Sequence, residues 1–181
     1  MRSGLTGLAA AGLLAVAAPA AADVRVIYDG GFGELFSVAM PDGWVFASGI
    51  RPGTDPDAPN QPRVIGMNPE DDLSIWLGWL SPPGISDLDA AIAYVEGVSA
   101  EIVTDPVVEL SQDITVDGRP GHLYAGTGIR QDAPIDFGVA VIDMPGDVVV
   151  IGLFIGEFGA REVYQAEIDY VTSSFKVMGG P

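Results

Sequence analysis

Residues 148–155 (VVVIGLFI) restrict the possible folds of this chain more than any other segment. Each position is apolar or glycine, so a strand formed here carries apolar side chains on both of its faces. Residues 73–80 also have apolar side chains at both odd and even positions. A sheet with one face in water would instead alternate apolar and polar residues. The central strands are therefore predicted to be covered by other elements on both sides.

Turn residues separate a series of strands and indicate which of them pair. Short connections join antiparallel neighbours, so the segments on either side of each turn are predicted to lie side by side. The predicted pairs are residues 35–40 with 44–47 across Pro41-Asp42-Gly43, 63–67 with 73–80 across the polar corner 68–72, 107–116 with 121–127 across Asp117-Gly118, and 135–144 with 148–155 across Pro145-Gly146-Asp147. Residues 107–116 alternate apolar with polar side chains, which predicts one wet face.

Two segments have helical periodicity. The first follows Ser86, the predicted cap, and carries Asp87 and Asp89 in its first turn, where the helix dipole favours negative charge. The side chains predicted to face the core are Leu88, Ile92, Val95, Ser99 and Ile102. The second helix spans about residues 160–173, with Val163, Tyr164, Ile168 and Val171 directed inward.

These elements together predict an α+β protein. An antiparallel sheet lies in the middle and a helix covers each of its faces, which gives a three-layer α/β/α sandwich. This arrangement supplies the two covered faces that residues 148–155 require.

The N-terminus has the features of a secretory signal peptide. Arg2 provides the positive start, residues 5–16 are an apolar run, and Ala20-Ala21-Ala22 is a cleavage site before Asp23. The run is shorter than the roughly 20 residues that span a bilayer. We therefore expect residues 1–22 to be a signal and residues 23–181 to be a single domain, periplasmic or secreted, with no membrane insertion after signal cleavage. The sequence contains no cysteine, which excludes disulfides, thiolate chemistry and lipid attachment to cysteine.

The charge balance excludes two classes of partner. The chain has 25 acidic residues against 8 Lys and Arg, and its formal net charge is −17. A surface of this sign repels nucleic acid and anionic lipid headgroups. Neither is therefore expected as a partner.

The order of the segments resembles the PsbP-like family. Residues 36–44 (FSVAMPDGW) look like the family's opening strand and P-x-G-W turn. The helix after Ser86, the turn at residues 116–121 (VDGRPG) and the closing residues 173–176 (SSFK) follow in the family's order. That family includes the extrinsic protein of the photosystem II oxygen-evolving complex, Ran-binding relatives and bacterial exported DcrB-type proteins. The resemblance implies the α/β/α sandwich and a non-enzymatic accessory role.

His122 is the only histidine and the only residue around which a hydrolytic site can be drawn. Such a site would take Ser111 or Ser174 as nucleophile and Asp113 or Asp117 as the residue that orients the imidazole. No G-x-S-x-G turn precedes either serine. The competing interpretation is a histidine near a strand end with no catalytic role, and we assign no catalytic residue from the sequence.

Metal and cofactor sites are not indicated. One histidine and no cysteine disfavour zinc. Two acidic corners, Asp55 with Asp57 and Glu70-Asp71-Asp72, are weak surface candidates for a cation, but neither has the spaced oxygen ligands of a calcium loop. A glycine-rich segment, Gly30-Gly31-Phe32-Gly33, lacks the lysine of a phosphate loop. We therefore expect no cofactor.

The three tryptophans admit two interpretations. Trp44, Trp76 and Trp79 could line an apolar pocket, or they could pack in the core, which is the more common position of this side chain.

The sequence thus favours an exported, non-enzymatic accessory or binding module that engages an unidentified protein partner. The alternative is a periplasmic hydrolase with its site around His122. The two differ in whether the fold brings a hydroxyl and a carboxylate within hydrogen-bond distance of His122 inside a cleft.

Overall fold

The computed structural model describes residues 24–29, 33–50 and 63–179. Residues 1–22, Asp55 and Asp57 lie outside this part of the chain. The described elements are β1 (Val24–Asp29), β2 (Glu34–Met40), β3 (Trp44–Ile50), β4 (Arg63–Pro69), β5 (Ile75–Leu80), α1 (Leu88–Ile102), β6 (Thr104–Val116), β7 (Arg119–Arg130), β8 (Ala133–Met144), β9 (Val148–Glu157), α2 (Ala160–Val163), α3 (Gln165–Ser173) and β10 (Lys176–Val177). The predicted α+β class with antiparallel pairing is confirmed.

The described strands form two antiparallel sheets where the sequence predicted one. The large sheet has the order β3-β4-β5-β9-β8-β7-β6, and the small sheet has the order β1-β2-β10. The predicted pairs β4 with β5, β6 with β7, and β8 with β9 are confirmed. Each pair is joined by a short turn, and a short connection places antiparallel strands side by side.

The predicted hairpin across Pro41-Asp42-Gly43 is wrong. β2 belongs to the small sheet, where it pairs with β1 and β10, while β3 pairs with β4 in the large sheet. Gly43 has a φ of 73°, so the chain does turn sharply there. Nearly all of β2 is buried, on both of its faces. Other parts of the protein therefore cover both faces of β2. The chain passes from the small sheet to the large sheet at the turn.

The first helix begins one residue later than predicted. Asp87, not Ser86, is the N-cap, and its carboxylate accepts a hydrogen bond of 2.8 Å from the Ala90 amide. A carboxylate at this position satisfies a free N–H and also interacts favourably with the helix dipole.

The predicted second helix is divided at Tyr164, whose backbone (φ −103°, ψ 19°) separates α2 from α3. Tyr164, Ile168 and Val171 pack against the core as predicted. Val163 does not, since it is 73% exposed. The Tyr164 hydroxyl donates a hydrogen bond to the Asp72 carboxylate in the β4–β5 turn. Tyr164 therefore connects the second helical segment to the β4–β5 turn, while Val163 lies on the outside.

The core has two parts, and β9 contributes to both. Val149 and Ile151 pack in one cluster with Ala91 of α1, and Leu88, Ile92 and Val95 pack against that cluster. The alternate β9 residues Val150 and Phe154 pack in the other cluster with β2 and with Val171 of α3. The strand is therefore buried on both faces, as its sequence predicted.

Aromatic side chains join the small sheet to the rest of the protein. Tyr28, Phe36 and Phe175 form a continuous stack, with centroid distances of 5.0 and 4.8 Å. The Tyr28 hydroxyl donates to the Arg63 carbonyl at 2.8 Å and accepts from the Ser81 amide at 3.0 Å. Burial raises the pKa of Tyr28 above its ordinary value.

Within the described residues, no helix is long and apolar enough to cross a membrane.

Candidate functional site

β6 is an edge strand of the large sheet and, at 13 residues, one of its longest. In the described part of the chain it pairs on one side only, with β7. Most of the strand is exposed, including its apolar residues Val107 (59%), Val108 (53%) and Leu110 (39%). An unpaired edge with exposed apolar side chains is an interaction surface that soluble proteins usually avoid.

The edge of β6 has two different halves. Its pairing with β7 is interrupted between Thr104 and Val107 and again between Val108 and Leu110. From Leu110, opposite Ala125, to Val116, opposite Arg119, the register is continuous. Residues 110–116 are therefore a regular edge that another strand could join, and the bulged first half carries the exposed valines.

A polar network lies on one face of this strand pair. Asp113 is directly opposite His122 in the register. The Asp113 carboxylate is 2.8 Å from Nδ1 of His122, and the Ser111 hydroxyl is 3.0 Å from Nε2 of the same ring. The His122 ring also packs on Tyr124, at a centroid distance of 4.5 Å.

The partners of His122 define its tautomer when the ring is neutral. An ionised carboxylate only accepts hydrogen bonds, so Nδ1 carries the proton and donates to Asp113. Nε2 is then the acceptor for the Ser111 hydroxyl. This is the connectivity of a serine hydrolase triad, in which the imidazole takes the serine proton.

The surroundings of this network differ from those of a serine hydrolase. The Asp113 side chain is 96% exposed. A carboxylate in water stabilises an imidazolium less than a buried one does, because solvent screens the interaction. Ser111 lies within a strand and not on the sharp turn that presents a nucleophile in α/β-hydrolases.

The other predicted partners of His122 lie elsewhere. The Ser174 hydroxyl accepts from the Ala39 amide and donates to the Val171 carbonyl, each at 2.7 Å, which connects the end of α3 to β2. Asp117 binds Lys176 Nζ at 3.0 Å and the Val177 amide at 2.9 Å. The Val177 N–H, followed by the Lys176 ammonium, holds the pKa of Asp117 below its ordinary value. Both residues are structural.

The acidic corner of the β4–β5 turn, Glu70-Asp71-Asp72, is organised by hydrogen bonds to Asp72. Glu70 and Asp71 are exposed, whereas Asp72 accepts hydrogen bonds from Tyr164 and, at 2.7 Å, from the Ser74 amide. The Tyr164 hydroxyl, and after it the Ser74 amide, lowers the pKa of Asp72. Among the described residues, no group of three or more His, Asp and Glu side chains could hold a metal ion.

Two of the three tryptophans follow the core-packing interpretation. Trp44 and Trp79 are buried in the core. Trp76 is half-buried and lies flat over Gly66 and Gly78, where a Cβ at either glycine would overlap the indole. The glycines therefore make room for this ring beside the sheet.

The sequence offered Asp113 and Asp117 as alternative partners of His122, and the turn between β6 and β7 carries the signal that distinguishes them. Asp117 (φ 47°) and Gly118 (φ 79°) form a two-residue turn with both residues in the left-handed region. Such a turn fixes the pairing of the strands on either side, so the fourth residue before it faces the fourth residue after it. The edge position of β6 also had a sequence signal, Pro106 near the start of the strand, because proline in a sheet is found mainly on edge strands.

Two contacts around α2 had no sequence signal. The buried Asp136 accepts hydrogen bonds from the Gly159 amide at 2.9 Å and from the Arg161 amide at 3.2 Å. The Arg161 guanidinium also binds Glu109 of β6 at 3.0 Å. Both contacts join segments far apart in the chain.

Comparison with known proteins gives matches in structure only. No protein-family model and no curated protein matches the sequence. The solution structure of cyanobacterial PsbP (CyanoP) from Synechocystis sp. PCC 6803 matches with a TM-score of 0.57 and 15% sequence identity, over 92% of this chain and all (100%) of that one. The crystal structure of LpqN, involved in cell envelope biogenesis of Mycobacterium tuberculosis, matches with a TM-score of 0.50 and 10% identity, over 89% of this chain and 88% of that one.

Proposed function

The chain has the PsbP-like fold, and on that premise we propose that it is an exported, non-enzymatic accessory module that binds a protein partner. An extracytoplasmic location is supported by the signal-like segment 1–22 and by the fold shared with LpqN, a protein involved in cell envelope biogenesis. The absence of cysteine agrees with a domain that needs no disulfides to be stable outside the cytoplasm.

The observation that carries this proposal is the exposed edge of β6. Its apolar residues Val107, Val108 and Leu110 remain in contact with water although the chain has a buried core in which to place such residues. Burying them against a partner would recover about 25 cal/mol for each Å² removed from water. β6 is therefore the surface on which we place the partner.

We also infer that the protein is a three-layer sandwich in which α1 and α3 cover opposite faces of the large sheet. The two clusters around β9 support this order, since α1 packs with one set of its alternate residues and α3 with the other. In this arrangement the faces of the central strands are occupied, and the edges are the surfaces left for recognition.

The proposal is tested by capture from the envelope fraction of the cells that produce the protein. The exported chain is compared with the double variant Val107→Lys/Val108→Lys and with the control Leu73→Lys. Leu73 is 85% exposed but lies in the β4–β5 turn, outside β6. Captured proteins are identified by mass spectrometry, purified and re-tested for direct binding.

We expect a protein that binds the unmodified chain and the Leu73→Lys variant but not the double variant. Lysines at the edge of a sheet oppose association because their charge must be desolvated. Equal capture by all three chains, or no specific capture, would refute a partner site on β6.

A second function, hydrolysis at Ser111, is supported by the hydrogen-bond connectivity of Ser111, His122 and Asp113. In that case the Ser111 Oγ attacks an acyl carbonyl and its proton passes to His122 Nε2, and the leaving group then takes this proton. A water molecule would hydrolyse the resulting ester of Ser111 and restore the hydroxyl.

Labelling with a fluorophosphonate distinguishes this function from the first. The Ser111 Oγ–P bond forms, fluoride leaves and His122 takes the proton. A hydrolase would give stoichiometric labelling of Ser111 that is lost in the variants Ser111→Ala and His122→Gln and kept in Ser173→Ala, a control on the exposed surface of α3. We expect no labelling above that of a denatured sample, because Asp113 is in water.

A further inference from the structure

We infer that β6 binds an extended, basic segment of its partner by strand addition, with residues 110–116 as the edge that this segment joins. The inference rests on the proposed function and specifies the chemistry of the partner. In this complex the main chain of the partner pairs with the regular half of β6, and the exposed side chains of β6 select the partner's sequence.

The main chain of residues 110–116 provides the pairing groups. In a regular antiparallel pair, alternate residues direct N–H and C=O toward one neighbour and the remaining residues direct theirs to the other side. β7 occupies one side of this stretch without a register shift. The outward groups on the other side form the row that an added strand satisfies in β-augmentation.

The charge of the strand selects the partner. β6 contains Asp105, Glu109 and Asp113 and no lysine or arginine. The Asp113 side chain is far more exposed than that of Glu109, at 96% against 46%. A residue directly opposite Asp113 on an added strand would lie about 5 Å away on the same face, where Lys or Arg is favoured. The formal net charge of the whole chain, −17, attracts such a segment from a distance.

The apolar residues define the other face of the added strand. Leu110 and Ile114 lie on the face opposite to that of Asp113, because side chains alternate along the strand. Partner residues opposite Leu110 and Ile114 are therefore apolar. The segment that fits best alternates basic and apolar side chains over about seven residues, which is the length of the uninterrupted register.

A second copy of this chain is a poor occupant of the same edge. Two β6 strands would bring acids against acids with no basic residue in either strand. Like charges directly opposite each other destabilise a strand pair. The two chains would also repel through a net charge of −17 each.

The test uses a fluorescent seven-residue peptide that alternates valine and lysine, titrated against the full exported chain. Hydrogen exchange is measured in parallel at the amides of residues 110–116 and of β3, the other edge of the large sheet. Two further peptides carry N-methyl groups on alternate residues, one on the odd and one on the even positions. A fourth peptide has glutamate in place of each lysine.

Strand addition predicts binding with slowed exchange at residues 110–116 and not at β3. One N-methyl pattern abolishes binding and the other keeps it, because only alternate amides of an added strand face β6. The glutamate peptide does not bind. Asp113→Lys lowers affinity by about tenfold or more, whereas Asp42→Lys, an exposed acid in the β2–β3 turn, changes it by less than about twofold.

Equal binding of both N-methyl peptides, or protection at β3 in place of β6, would overturn the inference. A concentration-dependent dimer that protects residues 110–116 without peptide would also overturn it. If a captured partner depends on Val107 and Val108 while the peptide fails to bind, strand addition is wrong and the proposed function stands. If the peptide binds as expected but no captured protein depends on β6, the proposed function is wrong.

Discussion

At the scale of single residues, the contacts that organise this protein are hydrogen bonds to carboxylates at turns and strand ends. Asp117 joins the β6–β7 turn to β10, and Asp72 joins the β4–β5 turn to the break between α2 and α3. Asp136 satisfies two amides at the start of α2. Each of these carboxylates receives a main-chain N–H, a group that would otherwise lose its hydrogen bond on burial.

The bond between Tyr164 and Asp72 has a defined pH window. Asp72 has a pKa below its ordinary value of 3.8, chiefly because Tyr164 donates to the carboxylate, so its contribution to stability is present above pH 3.8 and is lost as the pH falls through the lower folded pKa. Tyr164 has a pKa above 10.0, chiefly because of the same bond, so its contribution is present below pH 10.0 and is lost as the pH rises through the higher folded pKa.

We therefore predict that Tyr164→Phe is less stable than the unmodified chain between about pH 4 and pH 10, and that the difference shrinks beyond both limits. Urea unfolding at a series of pH values measures the difference in the free energy of unfolding between the two chains. Tyr94→Phe, a change in α1 on the other side of the core, serves as the control and should show no such window. No difference at any pH would show that packing of the ring, which phenylalanine keeps, and not the hydrogen bond, stabilises this contact.

At the scale of elements, small residues decide where side chains can lie against the strands. Trp76 rests on Gly66 of β4 and Gly78 of its own strand, β5. These two glycines face each other in the register. The indole therefore occupies the space that a side chain at either glycine would fill.

Two glycine substitutions should act in opposite directions. Gly78→Ala places a methyl group within the Trp76 ring and should cost about 1–3 kcal/mol through displacement of the indole. Gly97→Ala meets no atom within 4 Å and lies inside α1, so it should stabilise the protein by about 0.5–1 kcal/mol. Urea unfolding with tryptophan fluorescence measures both. A stable Gly78→Ala variant with unchanged fluorescence would mean that Trp76 does not rest on this glycine.

At the scale of the whole molecule, the apolar core and most of the exposed charge lie in different parts of the fold. The apolar residues of β9 are buried in two core clusters, while Asp42, Asp87 and Asp113 are exposed on a turn, at a helix start and on the β6 edge. A net charge of −17 on this surface repels itself and favours expansion of the chain.

Salt should relieve this repulsion without a specific ion. We predict that the melting temperature rises similarly in sodium chloride and calcium chloride at matched ionic strength, because both screen the charge and neither acidic corner supplies the six to eight oxygens that calcium takes. Thermal unfolding measures it. A large stabilisation by micromolar calcium, lost when Asp55 and Asp57 or Glu70 and Asp71 are replaced by the amides, would reveal a specific site.

The sequence by itself determined the features that depend on neighbours along the chain. The apolar run of β9 predicted burial on both faces, which the two core clusters confirm. Three of the four predicted strand pairs formed because a short turn places the strands on either side of it next to each other. The pairing of Asp113 with His122 belongs to the same group, since the two-residue turn at Asp117 and Gly118 sets it.

Only the tertiary structure decided which distant surfaces meet. A turn at Pro41-Asp42-Gly43 is compatible both with a hairpin and with a passage from one sheet to the other. The partners of β2 are β1 and β10, and β10 is about 140 residues away in sequence. No local pattern therefore identifies the second sheet. The contact of Tyr164 with Asp72 likewise joins two segments that are distant in sequence. The exposure of Val107 and Val108 is decided in the same way, because an apolar pair in a strand is buried only if another strand or layer lies beside it.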